Sequence, residues 1–139
     1  MLTLAETLAS RSTCVRRAVG CVLVDVHGRV LSMGHNGVPM NHRHCTAEHP
    51  CAGHAFPSGQ GLDRCEAIHA EQNALMFCRD VMQIDSCYVT TSPCPHCLKM
   101  LLNTRCRMIY SYDIYDPQAL ANLWCGDIHF RRSFLQVNR

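Results

Sequence analysis

This sequence predicts an α/β layer fold in which helices flank a central mixed sheet, and three observations carry the prediction. Two apolar runs, Val19 to Val26 and Val30 to Gly34, surround a Gly-containing turn and read as a β-hairpin. After the hairpin, strand-like and helix-like runs alternate, as they do when helices pack on a sheet. A length of 139 residues is enough for one domain with its own core and too short for two.

The elements follow in chain order. Leu2, Leu4, Ala5, Leu8 and Ala9 recur at helical spacing, predicting a first helix over 2–9 that ends in Ser10–Arg11–Ser12–Thr13. The hairpin delivers the chain to His35–Asn36–Gly37–Val38–Pro39, where Asn-Gly and Pro favour a turn. Asn41 to Arg64 is polar and turn-rich, with His42, His44, Cys45, His49, Cys51 and His54; a loop this long in a compact domain is functional or tied down. Glu66 to Asp80 is predicted as a largely buried helix whose apolar surface comes from Ile68, Ala74, Leu75, Phe77 and Cys78. Ser86 to Thr91 has the β-branched and aromatic content of a strand. Cys94 suits a cap and Pro95 a first helical position, and the helix continues to Thr104 through Leu98, Met100, Leu101 and Leu102. Met108 to Tyr112 is the next strand, Asp116–Pro117 starts a helix with Ala119, Leu120 and Leu123 on one face, and Ile128–His129–Phe130 is expected as a last edge strand.

Composition narrows the function. A net charge of +2 offers no polybasic surface for long nucleic acid and favours a small-molecule substrate. Eleven cysteines and nine histidines are an excess for this length. The odd cysteine number and the lack of a secretory leader point to reduced thiols and metal ligation in the cytosol rather than to a disulfide framework. No apolar stretch approaches membrane-spanning length.

The chemistry concentrates in His69–Ala70–Glu71 and Pro93–Cys94–Pro95–His96–Cys97. His69, Cys94 and Cys97 are three ligands of the type zinc prefers, and three protein ligands leave one tetrahedral position open for water. Zinc makes such a water acidic near neutral pH, so a proton carrier is needed, and Glu71 is the candidate. Residues two apart on a helix point about 200° apart. His69 and Glu71 therefore serve one site only where it is approached end-on at a first turn. Cys94 and Cys97 share a face, and at a helix N-terminus the macrodipole and free N–H groups stabilise thiolates. The competing reading is a non-catalytic zinc module with His96 as fourth ligand; it leaves Glu71 without a role.

These two motifs resemble the zinc-dependent cytidine and deoxycytidylate deaminase superfamily. The resemblance runs from Arg11–Ser12–Thr13–Cys14 through the hairpin and the Asn36 loop to the Cys-x-x-Cys helix, and is closest to deoxycytidylate (dCMP) deaminases. It implies a three-layer cytidine-deaminase-like fold with a five-stranded sheet, and hydrolysis of dCMP to dUMP and ammonia, which feeds thymidylate synthesis. Glu71 would carry protons from water to N3 and to the departing amine. Asn36 would hold the sugar, with His35 standing where Tyr is common, and Ala70 and Tyr115 are further expected substrate contacts. The resemblance also implies a second, structural zinc on Cys14, Cys45, Cys51 and Cys65, where His44, His49 or His54 could replace any one ligand. Family members suggest a homo-oligomer, a hexamer, with dCTP and dTTP as effectors. The alternative substrates are dCTP, a 5-substituted dCMP or another cytosine nucleoside.

Overall fold

The structure, a computed structural model, describes residues 1–57, 60–126 and 131–139. Strands β1 (Gly20–Val24), β2 (Val30–His35), β3 (Ser86–Thr91), β4 (Met108–Asp113) and β5 (Ser133–Gln136) form one sheet in the order β2-β1-β3-β4-β5. β1 is antiparallel to both neighbours, whereas β3, β4 and β5 run parallel, so the sheet is mixed as expected. Its register aligns Met33, Val22, Tyr88, Tyr110 and Leu135 in one row across all five strands.

Side-chain alternation divides the core between the two faces of the sheet. Val22, Val24 and Tyr88 pack against Leu4, Ala5 and Leu8 of helix α1 (Leu2–Ala9), and Tyr88 stacks on Tyr110 with ring centroids 4.5 Å apart. Cys21, Leu23, Cys87, Val89 and Ile109 face the other way, toward α2 (Ala70–Met76), α3 (Pro95–Leu102) and α4 (Pro117–Ala119). The last helix runs on through a wider turn, Leu120–Trp124, closed by the Cys125 N–H donating to the Leu120 carbonyl at 2.9 Å. The result is three layers. β1, sandwiched between two of them, is buried at every residue, which accounts for its unbroken apolar run. All eleven cysteines are free, and Cys21, Cys87 and Cys106 serve as small core side chains. No helix among the described residues is long and apolar enough to cross a membrane.

The helix expected over 66–80 is shorter, Ala70–Met76. Ile68 pairs through both its N–H and its carbonyl with Gly37, and His69 is extended (φ −71, ψ 156), so helical bonding begins only after it. Phe77, expected in the core, caps the C-terminus and is 67% exposed; the buried positions are Ala70, Glu71, Ala74 and Leu75. β2 approaches this helix so closely that a Cβ on Gly34 would collide with the Ala70 carbonyl and the Ala74 nitrogen. α3 stops at Leu102 rather than Thr104. The Thr104 hydroxyl donates to the Leu101 carbonyl at 2.7 Å, and the buried Arg132 guanidinium donates to the carbonyls of Leu102, Thr104 and Cys106. Among the described residues of 41–64 there are turns, one short 3-10 helix, Leu62–Arg64, and no strand. Residues 128–130, expected as the edge strand, lie outside the described residues; β5 (Ser133–Gln136) occupies that edge.

Candidate active site

Strand direction gathers the site. Because β1 is antiparallel to β3, the start of β1 and the end of β2 lie beside the C-terminal ends of β3 and β4. Chain segments leaving those four ends carry Arg17, Asn36, Cys94 and Tyr115 to one side of the molecule. The Tyr115 N–H donates to Ser92 Oγ at 2.8 Å, tying the segment after β4 to the one after β3.

His69 and Cys94 are the N-cap residues of α2 and α3, so two helix starts face each other. Gln72, three residues into α2, accepts the His69 backbone N–H on its side-chain oxygen at 2.9 Å and fixes that cap. His69 Nδ1 lies 3.5 Å from Cys94 Sγ and 3.4 Å from Cys97 Sγ. Among the described residues these three form the one compact group of metal-ligating side chains, with donor atoms all within 4.8 Å of one another. His96 is exposed and outside the group, so it supplies no fourth ligand.

The donor set fits a dication. A hydrogen bond from the Cys97 thiol, opposed by burial and reinforced by His69, holds Cys94 down to about 4. The same bond, together with burial, pushes Cys97 up, and the bond with Cys94 raises His69. Without metal, only one of the two sulfurs carries charge. A bound dication displaces the remaining protons and makes both sulfurs ligands. One imidazole and two thiolates are donors that suit zinc.

Glu71 is the second residue of α2, in its first turn, and only 4% exposed. Burial, opposed by its own backbone N–H and by His69, pushes its carboxyl up to about 7. A carboxyl poised there can accept and release protons at neutral pH. It opens, with His69 and Cys94, onto a pocket. Cys14, Arg16, Arg17, Val19, Asn36, Cys65, Ala70, Thr91, Ser92 and Tyr115 contribute to its walls. The three expected substrate contacts, Asn36, Ala70 and Tyr115, thus share one cavity with Glu71. Thr91, Ser92 and Val19 were not indicated by any motif; their one sequence signal is position, at or beside the ends of strands that lead to the motif residues. Asn36 is buried and already engaged: its Oδ1 accepts the Val19 N–H at 2.8 Å and its Nδ2 donates to the Arg17 carbonyl at 2.7 Å.

The second cysteine set is looser. Cys51 lies against both Cys45 and Cys65, with the Cys51 N–H donating to Cys45 Sγ at 3.3 Å. Burial pushes the Cys51 thiol up, but N–H groups of Glu66 and Gly53 and the Cys45 and Cys65 side chains outweigh it and hold the thiol below its usual range. Cys65 accepts the Ala67 N–H and feels the charge of Cys14, while burial raises it. A Cβ on Gly53 would sit 2.7 Å from Cys65 Cα, so glycine is what lets this turn close on Cys65. Cys14 and Cys65 also line the pocket, and His44, His49 and His54 are exposed.

A three-donor metal centre with one buried carboxyl near neutrality, in a cleft at the C-terminal ends of parallel strands, defines a metal-dependent hydrolytic site on an α/β scaffold. Residues 1–112 match the model of the family described as the cytidine and deoxycytidylate deaminase zinc-binding region, and the chain belongs to that family. It is 36% identical over 105 residues to the deoxycytidylate deaminase of Mycobacterium phage D29, covering 72% of this chain and 81% of that protein. The deoxycytidylate deaminases of Schizosaccharomyces pombe and Saccharomyces cerevisiae are each 38% identical over 68% and 73% of this chain; the chain spans 30% and 32% of their lengths. The crystal structure of the dCMP deaminase from cyanophage S-TIM5 in complex with dCMP and dUMP superposes with a TM-score of 0.72 at 26% identity, covering 98% of this chain and 93% of that one. The cytidine-deaminase-like fold expected from the motifs is therefore the fold observed.

Proposed function

We propose that this chain is a zinc-dependent deaminase that hydrolyses dCMP to dUMP and ammonia and so supplies dUMP for thymidylate synthesis. The observation that carries this reading is Glu71, buried and near neutral, sharing a pocket with His69 and Cys94 of the three-donor group. The similarity to deoxycytidylate deaminases, one of them solved with dCMP and dUMP, favours that substrate over dCTP, a 5-substituted dCMP or a free nucleoside.

Zinc, held by His69 Nδ1 and the sulfurs of Cys94 and Cys97, supplies the Lewis acidity that lets water act as a nucleophile at neutral pH. The remaining work belongs to Glu71. Its carboxylate takes a proton from the attacking water, delivers it to N3 of the pyrimidine, and carries a second proton to the amine at C4. Cytosine plus water becomes uracil plus ammonia, and Glu71 ends in its starting state. Asn36, Ala70 and Tyr115 bound the base and sugar.

The reading extends to the rest of the chain. Residues 1–139 form one deaminase domain. Cys14, Cys45, Cys51 and Cys65 hold a structural zinc, supported by the N–H groups directed at Cys51 and Cys65. The protein works in the cytosol, where its free thiols stay reduced, as a homo-oligomer, a hexamer by family resemblance, with dCTP and dTTP as effectors.

Ammonia release from dCMP, dCTP and deoxycytidine by zinc-loaded protein, with zinc per chain measured on the same sample, tests the reading. Turnover of dCMP above the other two, with two zincs per chain, is the expected result. Zinc without ammonia from any cytosine nucleotide would replace it with a non-catalytic zinc module.

A further inference from the structure

Tyr115 lines the pocket, yet nothing in its own side chain explains why it stands where it does. We propose that Ser92 is a positioning residue: its hydroxyl holds the Tyr115 backbone against the segment that carries Cys94, so that this wall of the pocket is set relative to the metal donors. The proposal rests on the pyrimidine-nucleotide reading above and adds to it the group that fixes one wall against the other.

Among the described residues the Tyr115 phenol makes no hydrogen bond, and the cation beside its ring, the Arg17 guanidinium at 5.9 Å from the centroid, belongs to an exposed side chain. A long exposed side chain that keeps its rotamer freedom is a poor brace. Ser92 is the opposite case. It is 3% exposed, directly follows β3, and is engaged through both its backbone and its side chain. Its N–H donates to the Asp113 carbonyl at 2.8 Å, and its Oγ accepts the Tyr115 N–H at 2.8 Å. One residue thus takes hold of positions 113 and 115 of the neighbouring segment, on either side of the exposed Ile114.

The two contacts differ in kind. The bond to Asp113 continues the parallel pairing of β3 with β4, and the Ser111 hydroxyl donates to the same carbonyl at 2.9 Å. The bond to Tyr115 depends on the Ser92 side chain alone. Beyond it the chain is next fixed at Asp116, whose Oδ1 accepts the Ala119 N–H at 2.8 Å where α4 begins. Losing the hydroxyl therefore releases Tyr115 and leaves its N–H without that partner, while the sheet keeps its pairing. On the other side, Pro93 stands between Ser92 and Cys94, fully buried and with its φ fixed by the ring, so the path from the hydroxyl to the metal donor is stiff. Such stiffness has a use in a site where misplacement by about 1 Å impairs a reacting complex.

Amide exchange, calorimetry and kinetics on the zinc-loaded protein test this together. In wild type the Tyr115 amide should be protected; free exchange there overturns the proposal even if no Ser92 variant folds. In Ser92→Ala that amide should exchange at least about tenfold faster, while the amide of residue 92, bonded to Asp113, keeps its rate. The variant should bind dUMP about fivefold more weakly than wild type, with KM for dCMP raised by a similar factor, a smaller fall in kcat and unchanged zinc content. In a Tyr115→Ala background the same replacement should cost nothing further, because its effect passes through Tyr115. Ser111→Ala, which touches Asp113 and not Tyr115, should bind dUMP as wild type does. Equal losses in both backgrounds, or loss of zinc in Ser92→Ala, would show that Ser92 acts on the metal donors or on the fold at large and would overturn the proposal. If dCMP is deaminated while the two replacements lose affinity additively, the positioning role alone fails. If wild type neither binds dUMP nor releases ammonia from dCMP, the pyrimidine-nucleotide reading fails and the proposal with it.

Discussion

Glu71 and the two thiols beside it are held away from their ordinary protonation states by different causes: burial raises Glu71, whereas the hydrogen bond between the two thiols lowers Cys94 and raises Cys97. For Glu71 the consequence is a proton carrier, and removing its charge while keeping its shape isolates that role. Glu71→Gln should keep the zinc content of wild type while kcat falls by roughly 10²- to 10⁴-fold, the usual range for a general acid and base; zinc analysis and ammonia release on one preparation check it. Substantial residual turnover would remove Glu71 from the mechanism. At this scale the motif was readable because its spacing is chemical: His69 and Glu71 can serve one site only at a helix start, and His69 is the cap. The engagement of Asn36 was not readable. Its partners are backbone groups 17 and 19 residues earlier, and a backbone N–H or carbonyl leaves no mark in residue identity.

Among the elements, the β1–β2 turn offers a test of acid stability. Burial pushes the Asp25 carboxyl up, but the backbone and side chain of Arg29 and the N–H of His27 outweigh it and hold the carboxyl below its usual range. A carboxyl depressed in the folded state adds stability above its unfolded pKa, and that stability is lost as pH falls through the lower, folded value. The stability gap between wild type and Asp25→Asn should therefore be full at pH 5 to 7 and shrink below about pH 4. Denaturant titrations across that range check it; a gap that does not change with pH would show that charge is not its source. Element boundaries were legible where a single residue sets them, as with Pro95 after Cys94. They were missed where a tertiary contact decides: Ile68 is spent on Gly37, and Arg132, about thirty residues beyond α3, gathers the carbonyls that close it.

For the whole molecule, the sheet, its mixed sense and its flanking helices were anticipated, whereas the pairing of β3 with β1 rather than β2 was not. The cysteine excess was harder to interpret, because the same residue type serves as metal ligand and as core filler, and only the three-dimensional grouping separates Cys94 and Cys97 from Cys21, Cys87 and Cys106. Stripping metal with a chelator should lower the melting temperature by something on the order of 10 °C as well as abolish activity, because a clamp closing a loop of this size contributes about 3 kcal/mol. Calorimetry with and without chelator checks it, and an unchanged transition would mean that the folded chain does not depend on metal. His69 and Cys94 are 25 residues apart, and α2 and β3 lie between them. A metal joining them is a shortcut along the polymer: once it forms, the path from the hairpin to β4 contracts by that segment, and later strand pairings close smaller loops. Zinc scarcity would then act twice, leaving chains inactive and also slowing their folding, so that newly made protein spends longer with its sheet edges open to other chains.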